Sequence, residues 1–237
     1  MFKIITSLTL SLLGLLAKAQ NQSSLDAFHR LNVNNNVTVV YTRGKDYRFD
    51  FQSTPATANG LITRVQNGTL FISQIENIPV TVTVIAPAID DIQAAQHAVI
   101  IANSVIEVPD FSLALASGAR FNGTVKATNS TRLRGKSGGI FNILLETDKF
   151  TGDFAGGAKV NLSGKAVSGT IATHGNTVCL ARNFKLEKAG IEATGLSEVH
   201  LSVSQSIHVA ASDDAVVTYF GTPAMTVDPN AIATISE

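Results

Sequence analysis

Apolar and polar residues alternate with a period of two along the first half of this chain, the spacing of a strand that buries one face. Val33, Val37, Val39 and Tyr41 alternate with polar neighbours, and Tyr47, Phe49 and Phe51 repeat the pattern after the polar link Thr42-Arg43-Gly44-Lys45-Asp46. Leu61-Ile62 and Leu70-Phe71-Ile72 flank Asn67-Gly68, a strong two-residue hairpin signal. Val80 to Ile85 forms a further strand pattern that stops at Pro87. Ile92 to Ile101 is ambiguous, because its alanines favour helix and Val99-Ile100-Ile101 favours strand.

From about residue 97 the chain repeats itself. Six stretches share a turn of small or polar residues, an apolar anchor and then a polar position. The anchors are Phe121, Phe141, Val160, Val178, Val199 and Val217, at spacings of 20, 19, 18, 21 and 18 residues. A period of roughly 20 with short strands is too short for helical-pair repeats or propeller blades and fits one coil of a parallel β-helix. Each coil must turn within two or three residues, where glycine supplies positive φ without a Cβ clash. A sandwich of short antiparallel hairpins would also carry frequent glycine turns, but the regular anchor spacing favours the solenoid. The fold expected is therefore all-β: a right-handed parallel β-helix over residues 96–223, flanked or capped by strands from 25–95, with 224–237 as a loose tail.

The beginning of the chain has a different pattern. Met1-Phe2-Lys3, an apolar run from Ile4 to Leu16 and Ala17-Lys18-Ala19 together read as an export signal over residues 1–19, with Gln20 as the first mature residue. The run is too short for a bilayer span, which needs roughly 20 residues, and no later segment is apolar enough to cross. Removing Lys3 and Lys18 from 18 basic and 18 acidic residues leaves a mature charge of 16 − 18 = −2. Only 15% of residues are charged and 45% are hydrophobic, a balance that argues against disorder and against a basic nucleic-acid binder. The single cysteine excludes an intramolecular disulfide and any CxxC site. Asn-x-Ser/Thr triplets at Asn21, Asn36, Asn67, Asn122 and Asn129 are what a chain rich in these residues produces.

Phe28 with the Val33–Tyr41 strand, the Val80–Pro87 strand, the repeated small-residue turns and the closing Tyr219-Phe220-Gly221-Thr222-Pro223 come in a telling order. In these features the chain resembles the bacterial "putative auto-transporter adhesin, head GIN domain" family, over roughly residues 25–223. The resemblance implies a right-handed β-helix-like structure in the periplasm or on the cell surface, and Tyr219, Gly221 and Pro223 correspond to the family's closing Tyr-x-Gly-x-Pro. It supplies no catalytic residues. Gln96-His97 and Ser212-Asp213-Asp214 depart from it by lacking glycine at two turns.

Candidate chemistry is sparse. His29, His97, His174, His200 and His208 show none of the short spacings of zinc ligands, and no cofactor motif is present, so no metal or cofactor is expected. A β-helix lyase or hydrolase, the alternative function, needs carboxylates or a Lys or Arg base gathered on one face. Asp148, Asp153, Glu187, Glu192, Glu198, Asp213 and Asp214 are instead scattered through turns. Cys179 follows Val178, so alternation turns it outward, with no histidine beside it to act as a base. Two surfaces remain as binding candidates. Asn122, Asn142 and Asn161 each follow an anchor and are expected to stack in one row, continued by Cys179 and His200. Arg132 and Arg134 alternate with Leu133 and both face outward. The expected role is non-catalytic adhesion, binding or scaffolding in the envelope, with a cell-envelope glycan or protein as partner.

Overall fold

The computed structural model describes residues 23–51, 60–76, 78–228 and 234–236; the export signal and its cleavage site lie outside them. Among the described residues, eighteen strands form a single sheet. In the first part of the chain these are β1 (Ser23–Ser24), β2 (Arg30–Asn34), β3 (Val37–Arg43), β4 (Arg48–Phe51), β5 (Leu61–Gln66), β6 (Thr69–Gln74), β7 (Val80–Ala86), β8 (Asp91–Ala94) and β9 (Val99–Ala102). Then follow β10 (Ile106–Leu115), β11 (Arg120–Gly135), β12 (Ile140–Phe154), β13 (Lys159–Thr173), β14 (Val178–Ala193), β15 (Glu198–Ala211), β16 (Val216–Phe220), β17 (Ala224–Val227) and β18 (Thr234–Ser236). The chain winds as a right-handed parallel β-solenoid with flanking strands. The ambiguous stretch at 92–101 resolves into β8 and β9, joined at Gln96 and His97, both with positive φ.

The coils do not stack in the order in which they are made. β2 pairs in parallel with β6 on one side and β8 on the other, and β3 pairs likewise with β7 and β9. The first coil of the chain thus lies second in the stack, between the coil of β6 and β7 and the coil of β8 and β9. The rungs therefore begin well before residue 96. β5 covers the outer edge of β6 through an antiparallel hairpin at Asn67-Gly68, and β4 covers β7 antiparallel. The link 42–46 is consequently not a hairpin: β7 lies between β3 and β4. These antiparallel strands pair backbone groups that the first parallel rung would otherwise expose. At the other end, residues 224–227 and 234–236, expected in a loose tail, instead extend the stack, β17 on β15 and β18 on β16.

The core is a set of inward columns one residue wide. One runs Val82, Val39, Ile100, Phe121, Phe141, Val160, Cys179, Val199 and Val217, each in register with the next and each buried. One expected anchor is corrected: Val178 is half-buried and faces outward, and Cys179 takes the inward place. The reason is a slip in the turn. Gly156 and Gly157 precede Val160, but His174-Gly175-Asn176-Thr177 has its glycine one position earlier. Counting from the glycine misplaces the alternation by one residue, which exchanges the two faces of the strand. Thr177 fills the buried place that Ala158 fills one coil earlier and donates its hydroxyl to the His174 carbonyl at 2.9 Å. Elsewhere bulk alternates with its absence. A Cβ on Gly135 would lie 2.7 Å from the Phe141 ring and one on Gly152 2.5 Å from the Phe154 ring. These two positions admit the edge-to-face pair Phe141–Phe154, with centroids 5.4 Å apart.

Candidate binding surfaces

The asparagine row is an outward column beside the inward one. Asn122, Asn142 and Asn161 are exposed and in register, and Asn161 Nδ2 donates to Asn142 Oδ1 at 2.8 Å. The column continues through Leu180, His200 and Thr218; Cys179, expected there, is in the core. Beside the row lies a hollow of about 480 Å³, edged by Leu144, Ser163, Leu180, Arg182 and Asn183. Leu144 and Leu180 are each 45% exposed, so amides and apolar side chains meet on this side.

A larger groove, of about 950 Å³, runs along the axis at the next corner of the coils. Its floor contains Ala127, Thr147, Ala166, Leu186 and Val203. One wall is the in-register row Lys126, Glu146, Lys165 and Lys185, with Lys126 and Glu146 3.8 Å apart. The other carries Asp148, Val167 and Glu187. Phe220 and Gly221 line it at the last coil, and the Arg182 guanidinium lies 4.2 Å over the Phe220 ring. The closing glycine has a steric reason: Gly221 has φ +114°, and a Cβ there would approach the Val203 carbonyl oxygen to 2.2 Å. Gly164 makes the same kind of approach to Leu145. The sequence expectations did not include this groove, although the spacing of Lys126, Glu146, Lys165 and Lys185 carries the signal for its wall.

Arg132 and Arg134 are exposed on either side of the buried Leu133, but they occupy the later segment of β11, past the register shift between Ala127 and Ser130. Their columns run through β8 and β10, whereas the asparagine column runs through β9. The solenoid therefore does not bring the two candidate sets together. Tyr219 is partly buried against the core.

Several of the reactive side chains are buried or hydrogen-bonded. Burial pushes the Cys179 thiol up to about 12, so it stays protonated and is a poor nucleophile at neutral pH. His29 Nδ1 lies 2.9 Å from Asp90 and His200 Nε2 2.6 Å from Glu198. His174 Nδ1 is 3.0 Å from the Thr194 hydroxyl. Asp213, itself at positive φ, accepts the Gly195 backbone N–H at 3.1 Å and closes the turn that lacks glycine. In the groove, Glu146 has a lysine on each side in its row, and Val167 stands between Asp148 and Glu187 along the other wall. Within each wall, therefore, no two carboxylates are neighbours. Among the described residues no group of three His, Cys, Asp or Glu side chains could hold a metal ion, and no helix is long and apolar enough to cross a membrane.

Residues 27–223 match the family described as "Putative auto-transporter adhesin, head GIN domain". Among solved structures, a putative adhesin from Parabacteroides distasonis superposes with a TM-score of 0.77 at 14% identity, covering 92% of this chain and 95% of that one. Another putative adhesin, from Parabacteroides merdae, gives 0.75 at 14% identity with the same coverage. A further Parabacteroides distasonis structure, described as a "Putative lipid binding protein", gives 0.74 at 13% identity, again over 92% and 95%. At these identities the similarity is one of fold. No curated protein matches the chain.

Proposed function

The chain belongs to the head GIN domain family, and from that premise we propose that it is an exported, non-catalytic binding module whose asparagine side meets a repeating component of the cell envelope, a glycan or a protein. The observation that carries the reading is the exposed, in-register amide row Asn122, Asn142 and Asn161, bordered by the hollow with Leu144 and Leu180. Neighbouring rungs are about 4.8 Å apart, so the amides present donors and acceptors at a fixed interval. The Asn142–Asn161 bond uses one donor and one acceptor and leaves the outer atoms of each amide free for a ligand. Polymer chemistry that repeats along its length would gain from several weak contacts made at once.

The test compares retention on isolated envelope material by wild type and the Asn122/Asn142/Asn161 triple alanine. Retention should fall about tenfold or more in the variant while the thermal midpoint changes little. Equal retention by the two proteins would remove this side as the contact.

The groove favours a second reading, in which an acyl chain lies along the apolar floor and the lysine row takes its acidic head. Its size and the exposed Val167 support this, as does the likeness in fold to the putative lipid binding protein from Parabacteroides distasonis. A fluorescent fatty acid should then bind wild type and lose affinity about tenfold in Val167→Glu; an unchanged affinity would end this reading.

A further inference from the structure

Arg134, one of the two arginines singled out in the sequence, and Lys136 close one end of a third depression, on the opposite stretch of the coil from the asparagine row. Its volume is about 320 Å³, and three chemical groups line it. One column reads Asn32, Gln93, Ala114, Arg134, each in register with the next. The adjacent column reads Asn34, Ala95, Ala116, Lys136, linked by the backbone bonds Ala95 N–H to Val33, Ala116 N–H to Ala94 and Lys136 N–H to Leu115. Side-chain amides thus stand at one end and two cations at the other. The alanine rungs between them lack the side chains that would fill the gap.

The hydrogen bonds already made at the amide end leave groups unspent. Asn34 Nδ2 donates to Asn32 Oδ1 at 2.7 Å, and Gln93 Nε2 donates to Asp91 Oδ1 at 3.3 Å. The Asn32 amide nitrogen and the carbonyl oxygens of Asn34 and Gln93 take no part in these two bonds. At the other end neither Arg134 nor Lys136 has an acidic partner within ion-pair distance among the described residues. Asp153, the next residue in Arg134's column, lies on the side away from the gap. Gln93 and Arg134 are two rungs apart, roughly 9.6 Å along the axis, and their side chains shorten that span from both ends.

We propose that this depression is a subsite for an acidic sugar, a uronic-acid unit of an envelope or host polysaccharide. The carboxylate pairs with the Arg134 fork and Lys136, the ring's C–H face rests on the methyls of Ala114 and Ala116, and the hydroxyls bond the Asn32, Asn34 and Gln93 amides. A planar guanidinium suits a carboxylate in a two-bond pair, and amides that can both donate and accept suit hydroxyls. The site shares no residue with the asparagine row or the groove, so it stands or falls separately from both.

The experiment uses the full mature chain and two soluble probes of equal length: an oligoglucuronate and the corresponding neutral oligoglucose. Titrations follow backbone amide shifts and give dissociation constants for wild type, for Arg134→Gln/Lys136→Gln and for the asparagine triple alanine. The expected result has the acidic oligomer binding at least tenfold more tightly than the neutral one, with shifts centred on residues 93–95, 114–116 and 134–136. The Arg134/Lys136 variant should lose at least tenfold, and the asparagine variant should bind as wild type does. Equal binding of the two oligomers, unchanged affinity in the Arg134/Lys136 variant, shifts centred on the asparagine row, or no binding of either probe would each overturn the proposal. Both variants replace exposed side chains, and matching thermal midpoints confirm that they are folded.

Discussion

The coils from β8 onward and the coils before it use the same rung but build it from different information. From β10 onward each turn of the chain stacks on the turn just made, so residues about 20 apart in sequence become register neighbours, as Phe121, Phe141 and Val160 do. Before it, the chain makes the coil of β2 and β3, leaves through β4 and β5, and returns to place β6 and β7 on the far side of that coil. Leu31 consequently touches partners 39 positions ahead at Leu70 and 61 ahead at Ile92. A repeat is readable because sequence distance equals spatial order. The N-terminal coils break that equality, and in exchange their end of the solenoid is closed by antiparallel strands.

The largest expected effect tests the repeat half, where inward and outward positions alternate. Cys179→Asp places an unpaired carboxylate in a column that is fully buried and should cost about 4 kcal/mol or more, enough to prevent folding of many domains. Leu180→Asp, on the exposed face, should change stability by less than about 0.5 kcal/mol. Urea melts of the two variants decide it: similar losses would show that the face assignment of β14 is mistaken.

The next effect bears on the N-terminal half. If its first coil is an interior rung with a packed neighbour on each side, Leu31→Ala should cost about 3 kcal/mol, close to the value for Leu133→Ala in the repeat. Both leucines are fully buried. A cost below about 1 kcal/mol for Leu31→Ala, with Leu133→Ala near 3, would mean that the early strands only lie against the solenoid as a loose cap.

Much of the solenoid was legible because its rules are local. The alternation in 33–41 and 80–85, the Asn67-Gly68 hairpin and the six anchors all follow from residues near one another in the chain. The misplaced anchor at 178 shows the limit of such counting: Gly175 holds a different place in its turn from Gly157, and nothing near it announces the difference. Turns without glycine were harder still. Gln96, His97 and Asp213 adopt left-handed φ all the same, a conformation that costs non-glycine residues of order 1 kcal/mol and that the neighbouring coils impose through their stacked turns. The asparagine and arginine sets could be found as exposed polar positions, but their separation onto different sides depends on the bend after Ala127. The depression at Arg134 needs Asn32 and Asn34, which the sequence places a hundred residues away and the doubled-back winding brings within three rungs.

The smallest effect is a pH dependence at the junction of the two halves. Hydrogen bonds from Ser130 Oγ at 2.6 Å and Asn129 Nδ2 at 3.4 Å hold the Asp110 carboxyl below its ordinary range. A carboxylate depressed in the folded state adds stability above its unfolded pKa, about 3.9, and loses that contribution as pH falls through the lower folded value. Ser130→Ala should therefore raise the Asp110 midpoint in an NMR titration. Any stability difference from wild type should be present at pH 7 and vanish in acid; a difference that persists unchanged in acid would mean that Ser130 acts through packing.

The order of the coils is tested most directly by disulfide formation between outward positions on β3, β7 and β9. Register places Thr38 beside both Thr81 and Val99, so Thr81 and Val99 are two rungs apart. One rung, about 4.8 Å, falls within the Cα range of a disulfide, and two rungs, about 9.6 Å, exceed its limit of roughly 7 Å. Under mild oxidation, the Thr38→Cys/Thr81→Cys and Thr38→Cys/Val99→Cys pairs should each form an intramolecular bond, and Thr81→Cys/Val99→Cys should stay reduced. Rapid closure of the Thr81/Val99 pair with failure of the Thr38/Val99 pair would contradict the account, because it would mean that the coils stack in sequence order.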